Sequence, residues 1–232
     1  MFLVDSSDHL GTKSFPFVKA FVNKMISNLP IEAQKYRVAL AQYSDQLHNE
    51  FQLSTFKSRN PMLNHLKKNF GFMGGSLRIG QALREAHRTY FSAPGSGRDK
   101  KQFPPILVVL ASAESEDDVE EASKALREDG VRIVSVGLRD ASEEQLKAMA
   151  TAQFHFNLRS VRDLGAFSQN MTQIIKEATQ YRNGAADIQG NEGLGPRQAA
   201  LRLSPSSPAA HVLVSLIGHA DILDFSTHPC QP

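Results

Sequence analysis

Strand-length apolar runs that alternate with helical patterns constrain the fold of this chain more than any other feature. Residues 106–110 form the most apolar run, which is typical of a central strand buried on both faces of a parallel sheet. Residues 2–5 and 131–136 are further runs of this kind. Because helical patterns separate these runs, the sequence predicts an α/β fold that is doubly wound, with a mostly parallel central sheet and helices on both faces.

Two neighbouring strand patterns predict a hairpin at one edge of the sheet. They cover residues 36–43 and 46–53, and only Ser44 and Asp45 separate them. The sheet should therefore have one antiparallel edge strand. A short strand is expected at residues 154–156, and helices are expected at residues 15–29, 61–70, 79–90, 116–128, 142–150 and 161–181.

The chain changes character after residue 182. Residues 1–182 carry the alternating pattern, whereas residues 183–232 are rich in glycine, proline and serine, as is typical of linkers and disordered segments. Residues 212–217 could pair as a strand, but nothing nearby offers them a core. The single cysteine, Cys230, excludes an intrachain disulfide. We predict one domain followed by a disordered tail.

Basic and acidic side chains nearly balance, with 26 Lys and Arg against 24 Asp and Glu and a net charge of +2. This balance gives no broad field that would attract nucleic acid or an anionic membrane. No run approaches the roughly 20 apolar residues that are needed to span a bilayer. We therefore expect neither a nucleic-acid partner nor membrane insertion.

The first apolar run begins at Met1 with no signal peptide before it. Taken as written, the chain would stay inside the cell. Met1 nevertheless falls where a buried first strand should already be under way. We therefore expect that the first strand is truncated and that an upstream piece is missing.

Residues with catalytic potential are few at the carboxyl ends of the predicted strands, where open α/β sheets bind ligands. Asp5 follows the first strand and could be a phosphatase nucleophile, but that chemistry needs a second carboxylate two residues on, where Ser7 stands. The glycine-rich residues 74–80 lack the Lys-Ser/Thr ending of a phosphate-binding loop. We expect no catalytic residue and no enzyme, with an Asp5-dependent phosphotransfer enzyme as an alternative.

Five phrases, in order, resemble the von Willebrand factor A domain, and most of all the copies repeated in collagen VI alpha chains of the alpha-3 and alpha-4 kind. The resemblance covers residues 1–182 but not the tail. It implies a protein-binding and assembly module of the extracellular matrix. The phrases lie at residues 2–7 (F-L-V-D-S-S), 38–44 (V-A-L-A-Q-Y-S), 74–83 (G-G-S-L-R-I-G-Q-A-L), 115–119 (S-E-D-D-V) and 130–137 (G-V-R-I-V-S-V-G).

The resemblance also implies a metal ion-dependent adhesion site, in which oxygen atoms of D-x-S-x-S, a threonine and a second aspartate hold Mg²⁺. Asp5 and Ser7 match the first two ligand positions, but His9, Leu77 and Ser112 stand at the other three. Mg²⁺ requires a near-complete set of oxygen ligands, so one remaining carboxylate should leave the site weak or empty. We expect no metal and no cofactor, and protein ligands that bind the upper loops near these five residues.

Two expectations depend on where the chain is found. The resemblance implies the extracellular matrix, and there Asn170, in Asn170-Met171-Thr172, would be a glycosylation acceptor; otherwise it is an ordinary helix residue.

A truncated, non-functional product of a duplicated collagen VI-type gene is the remaining alternative, because the tail matches nothing in the family.

Overall fold

The computed structural model describes residues 1–31, 35–92, 100 and 102–181. The predicted tail at 183–232, with the run 212–217 and Cys230, lies outside the described residues. Within them the strands are β1 (Phe2–Asp5), β2 (Leu40–Tyr43), β3 (Leu47–Phe51), β4 (Ile106–Ala111), β5 (Arg132–Leu138) and β6 (His155–Leu158), and the α-helices are α1 (Phe15–Asn28), α2 (Arg59–Lys68), α3 (Ile79–Ala86), α4 (Glu120–Glu128), α5 (Glu143–Met149) and α6 (Leu164–Gln180).

The strands form one sheet in the order β3-β2-β1-β4-β5-β6. Every neighbouring pair is parallel except β2 and β3, which form an antiparallel hairpin at the edge. The fold class predicted from the sequence, including its single antiparallel edge strand, is confirmed. Strand β1 lies between β2 and β4, so the residues that follow β1 and β4 meet at one end of the sheet.

Two apolar layers cover the sheet. Val4 faces a layer to which α1, α2 and α6 contribute, and its neighbour Leu3 faces a layer to which α3, α4 and α5 contribute. Successive side chains of a strand point to opposite faces, so a strand covered on both sides must be apolar throughout. This requirement explains why β1 and β4 are so much more apolar than the edge strand β3.

The predicted helix at residues 116–128 is wrong at its beginning, because α4 starts only at Glu120. The preceding segment instead binds the N-terminus of α3. The Asp117 carboxylate accepts hydrogen bonds from the backbone N–H groups of Gly80 (2.8 Å) and Gln81 (2.6 Å). The contact is so close that a Cβ on Gly80 would stand 1.9 Å from the Asp118 carbonyl oxygen. Residues 116–119 therefore cap one helix rather than begin another.

Replacing Asp117 by alanine should lower the free energy of unfolding by about 2 kcal/mol, because two helix N–H groups lose a charged acceptor. Urea denaturation measures the change. Asp140→Ala is the matched control, because Asp140 is exposed on a turn and its loss should change little. Equal midpoints for Asp117→Ala and the parent chain would show that this cap contributes nothing.

The amino end of β1 lies beside a cavity of about 270 Å³, whose lining includes Tyr36, Val38, Pro105 and Ile106. The α-amino group of Met1 is buried there and donates to the Ile106 carbonyl at 2.7 Å. Burial lowers the pKa of this group to about 5. A titratable nitrogen thus lies in the apolar base of the sheet.

Among the helices of the described residues, none has both the length and the apolar character that crossing a bilayer would require.

Candidate functional site

The Asp5 carboxylate lies at the centre of the carboxyl end of the sheet. Asp5 is fully buried and is the last residue of β1. One oxygen accepts from the Ser7 backbone N–H at 2.7 Å. The other accepts from the Ser112 backbone N–H at 2.9 Å and from the Ser112 hydroxyl at 2.5 Å. Three donors therefore surround the carboxylate, which is how a buried charge is satisfied without a counter-ion.

The glycine-rich loop packs directly on this carboxyl end. Gly74 N–H donates to the Ser6 carbonyl at 2.8 Å, and Met73 N–H donates to the Ser6 hydroxyl at 2.9 Å. Gly75 has a φ of 104°, and a Cβ there would stand 2.8 Å from a carboxylate oxygen of Asp45. The turn therefore requires glycine both for its backbone angle and for its close contact.

The side chains of Leu77 and His9 do not converge on Asp5. Leu77 is fully buried in the apolar layer formed with α3, α4 and α5. The His9 side chain is exposed, and its carbonyl instead accepts a hydrogen bond from the Arg139 guanidinium. Of the five positions predicted from the resemblance, the structure brings together Asp5, Ser7 and Ser112.

The residues present do not fit a Mg²⁺ ion. Leu77 supplies no ligand atom, and the Ser112 hydroxyl is already bonded to Asp5. The Ser7 hydroxyl is the remaining candidate ligand: it is buried and has no hydrogen-bond partner. Across the described ranges, no three His, Cys, Asp or Glu side chains are grouped so that they could hold a metal as they stand.

Tyr43 belongs to this end of the sheet, although the sequence motifs predict no role for it. Its hydroxyl donates to the Leu110 carbonyl at 2.7 Å and thereby joins β2 to β4 across β1. Burial raises the pKa of Tyr43 well above its usual value, and the nearby carboxylates of Asp5 and Asp117 raise it further. Tyr43 is therefore a neutral hydrogen-bond donor at any physiological pH. Its position at the end of a strand in a Q-Y-S phrase was the available signal.

Two large apolar side chains are exposed near this end. Phe17, in the first turn of α1, is 38% exposed, and Met73, in the glycine-rich loop, is 41% exposed. Helix α1 follows β1, so its first turn lies beside the loops around Asp5. Exposed aromatic and methionine side chains are common at protein contact surfaces.

Asn170 lies within α6 and is half-buried. Its glycosylation stays a prediction that applies only to a secreted chain. His155, which the sequence placed on a short strand, lies on β6 and is also half-buried.

Comparison with known proteins gives a family and several near relatives. The model of the von Willebrand factor type A domain matches residues 1–176. The mouse collagen alpha-6(VI) chain is 81% identical over 187 residues, which are 81% of this chain and 8% of that protein. The human collagen alpha-5(VI) chain is 78% identical over 187 residues, 81% of this chain and 7% of that protein. The mouse collagen alpha-4(VI) chain is 36% identical over 194 residues, which cover 78% of this chain and 8% of that protein.

These values confirm the resemblance to collagen VI and correct its detail, because the alpha-5 and alpha-6 chains are much more similar than the expected alpha-4 kind. The chain spans less than a tenth of the length of these relatives. Among solved structures, proximal thread matrix protein 1 of the mussel byssus superposes with a TM-score of 0.68 at 16% identity, covering 75% of this chain and 47% of that one. At that identity the likeness supports the fold.

Proposed function

Because the chain belongs to the von Willebrand factor type A domain family, we propose that it is a protein-binding and assembly module of a collagen VI-like extracellular matrix, and not an enzyme. Its near relatives are collagen VI chains. Its partners are other matrix proteins, which it binds through the loops at the carboxyl end of the sheet. It does so without a bound metal or other cofactor.

The metal-free part of this proposal rests on one observation: three hydrogen bonds occupy both oxygens of the buried Asp5 carboxylate. An ion in this position would have to compete with three donors for the two oxygens of the carboxylate. Leu77 and Ser112 bring no second charge with which to attract it. Recognition without metal then depends on the shape and the apolar side chains of the loops.

The burial and hydrogen bonding of Asp5 also argue against a phosphotransfer enzyme. A nucleophilic carboxylate must reach the phosphorus of a substrate. Asp5 is fully buried and both of its oxygens accept hydrogen bonds, so neither oxygen is exposed for attack.

Binding of the chain to immobilised collagen VI, measured with Mg²⁺ and again with EDTA, tests the proposal. We expect equal affinity under both conditions. Affinity that disappears in EDTA would contradict the metal-free mechanism. A folded chain that does not bind collagen VI would favour the non-functional alternative.

Replacing Phe17 or Met73 by serine should weaken this binding about tenfold, which is the effect of removing one well-packed contact residue. The matched control is Phe103→Ser. Phe103 is 40% exposed and lies near the start of β4, at the opposite end of the sheet. Equal loss in all three variants would indicate a general effect on solubility or folding rather than a contact surface at the loops.

A further inference from the structure

Charge is distributed unevenly between the two sides of the sheet, although the net charge of the whole chain is only +2. Residues 10–31 and 52–77 contain seven Lys and Arg and no Asp or Glu. These ranges include α1 and α2, which cover one side of the sheet. The eight residues 114–121 contain six Asp and Glu and no Lys or Arg. They lead into α4, which covers the other side.

Six lysines on the side of α1 and α2 have no acid to offset their charge. The amines of Lys19 and Lys24 donate to the neutral carbonyls of Phe70 and Gly165. The other four are exposed: Lys13, Lys57, Lys67 and Lys68. Among the residues that the structure describes, no carboxylate forms a salt bridge with any of the six. This side of the molecule therefore attracts anionic groups.

Contacts between α1 and α2 hold these lysines on one surface. The Arg59 guanidinium, at the start of α2, donates at 2.9 Å to the carbonyl of Leu29, just after the end of α1. The Lys19 amine, in α1, reaches the carbonyl of Phe70, just after the end of α2, at 2.8 Å. The two helices are therefore antiparallel neighbours. We call α1, α2 and the six lysines the basic face; α2 alone makes it about 15 Å long.

Residues 114–121, the acidic segment, carry exposed charges on a backbone that is held in place. The Ser115 hydroxyl accepts from the Ile79 N–H at 2.8 Å, and Asp117 accepts from the N–H groups of Gly80 and Gln81. Four carboxylates of this segment are exposed and form no salt bridge with Lys or Arg within the described ranges: Glu114, Asp118, Glu120 and Glu121. A partner would bind these charges without having to order the segment first.

We propose that the basic face of one chain binds the acidic segment of a second copy. The two surfaces lie on opposite sides of the sheet, so they cannot meet within one molecule. One exposed ion pair contributes little, so the contact depends on several pairs that form together. Complementary charges also determine which surfaces meet.

This contact joins two different surfaces, so each bound pair of chains keeps one free basic face and one free acidic segment. Such heterologous contacts can repeat along a row of molecules. A sulfated polysaccharide would also suit the basic face, but it would leave the acidic segment without a partner. A second copy is favoured because a single contact offsets the charge of both surfaces.

Sedimentation velocity of the full chain, under reducing conditions that exclude disulfides of Cys230, tests this contact. We expect self-association at about 0.05 M salt that is lost at about 1 M, where charges are screened over roughly 3 Å. Lys67→Glu with Lys68→Glu should weaken the association about tenfold, and so should Glu120→Lys with Glu121→Lys. An equimolar mixture of the two variants should associate again, because each keeps the surface that the other has lost.

The matched control is Arg88→Glu with Lys147→Glu, which reverses two exposed cations outside the basic face and should leave the association intact. The proposal is overturned if the parent chain stays monomeric at low salt, or if either reversed surface still associates as the parent does. Binding of heparin to the basic face of a chain that does not self-associate would also overturn it. None of these results changes binding through the loops around Asp5, on which the proposed function depends.

Discussion

The stability of this chain should rise by about 4 kcal/mol between pH 5 and pH 8 because of a single buried amine. The Met1 α-amino group has a pKa of about 5 in the folded chain and an ordinary value of 8.0. Between these values the unfolded chain binds a proton that the folded chain does not bind. The loss of stability that comes from deprotonating this amine on folding is therefore complete below pH 5 and absent above pH 8.

Urea denaturation at several pH values, for this chain and for one with Ala-Asp-Ile-Val in place of Met1, measures the effect. The longer chain moves the charged amine away from the Ile106 carbonyl and lets the new residues extend β1 over the cavity. Its stability should lack this dependence on pH. It should also be higher throughout, by roughly 1.5–3 kcal/mol for each large side chain that becomes buried.

The sequence from Phe2 onwards is the same in both chains, so the difference between the two profiles from pH 5 to pH 8 isolates the amine. Identical profiles would contradict the assigned burial. Equal stability at pH 8 would show that the added residues bury no further apolar surface beside β1.

Restoring the three altered ligand positions, His9→Ser, Leu77→Thr and Ser112→Asp, should make the stability of this domain depend on Mg²⁺. Ser112 already lies 2.5 Å from the Asp5 carboxylate, so an aspartate there places two negative charges side by side. Without metal this variant should be less stable than the parent by several kcal/mol, because like charges repel and Leu77 leaves the core. Mg²⁺ at about 1 mM should restore the part of the lost stability that is due to charge repulsion.

Thermal denaturation with and without Mg²⁺ measures the response, and the double variant His9→Ser, Leu77→Thr is the control for lost packing. The parent and the double variant should show no shift with Mg²⁺. A folded triple variant that ignores Mg²⁺ would mean that the ligand positions are misassigned. Saturable Mg²⁺ binding by the parent that Asp5→Ala abolishes would contradict the empty site.

The fold could be predicted from the sequence because burial on two faces leaves a clear pattern. Ile106 to Ala111 must be apolar throughout, and the glycines and prolines around the strands mark their ends. Residues 116–119 were misjudged because their acidic side chains are equally suited to beginning a helix and to capping another one. Only the tertiary contact of Asp117 with Gly80 distinguishes the two roles.

The candidate site was predicted in part. The resemblance identified Asp5, Ser7 and Ser112, which the structure places together. It gave no indication that Ser112 would bond to Asp5 or that Tyr43 would join two strands, because both contacts connect residues far apart in sequence.

The hydrogen bond from the Tyr43 hydroxyl to the Leu110 carbonyl affects the binding of partners as well as the stability of the sheet. It joins two strands that are not neighbours, and the loops that follow them carry Asp45 and Ser112. Loops that are held in place lose little conformational freedom when a partner arrives, so less of the contact energy is spent on ordering them. Association should then resemble the docking of two rigid bodies, with similar loop structures in the free and bound protein.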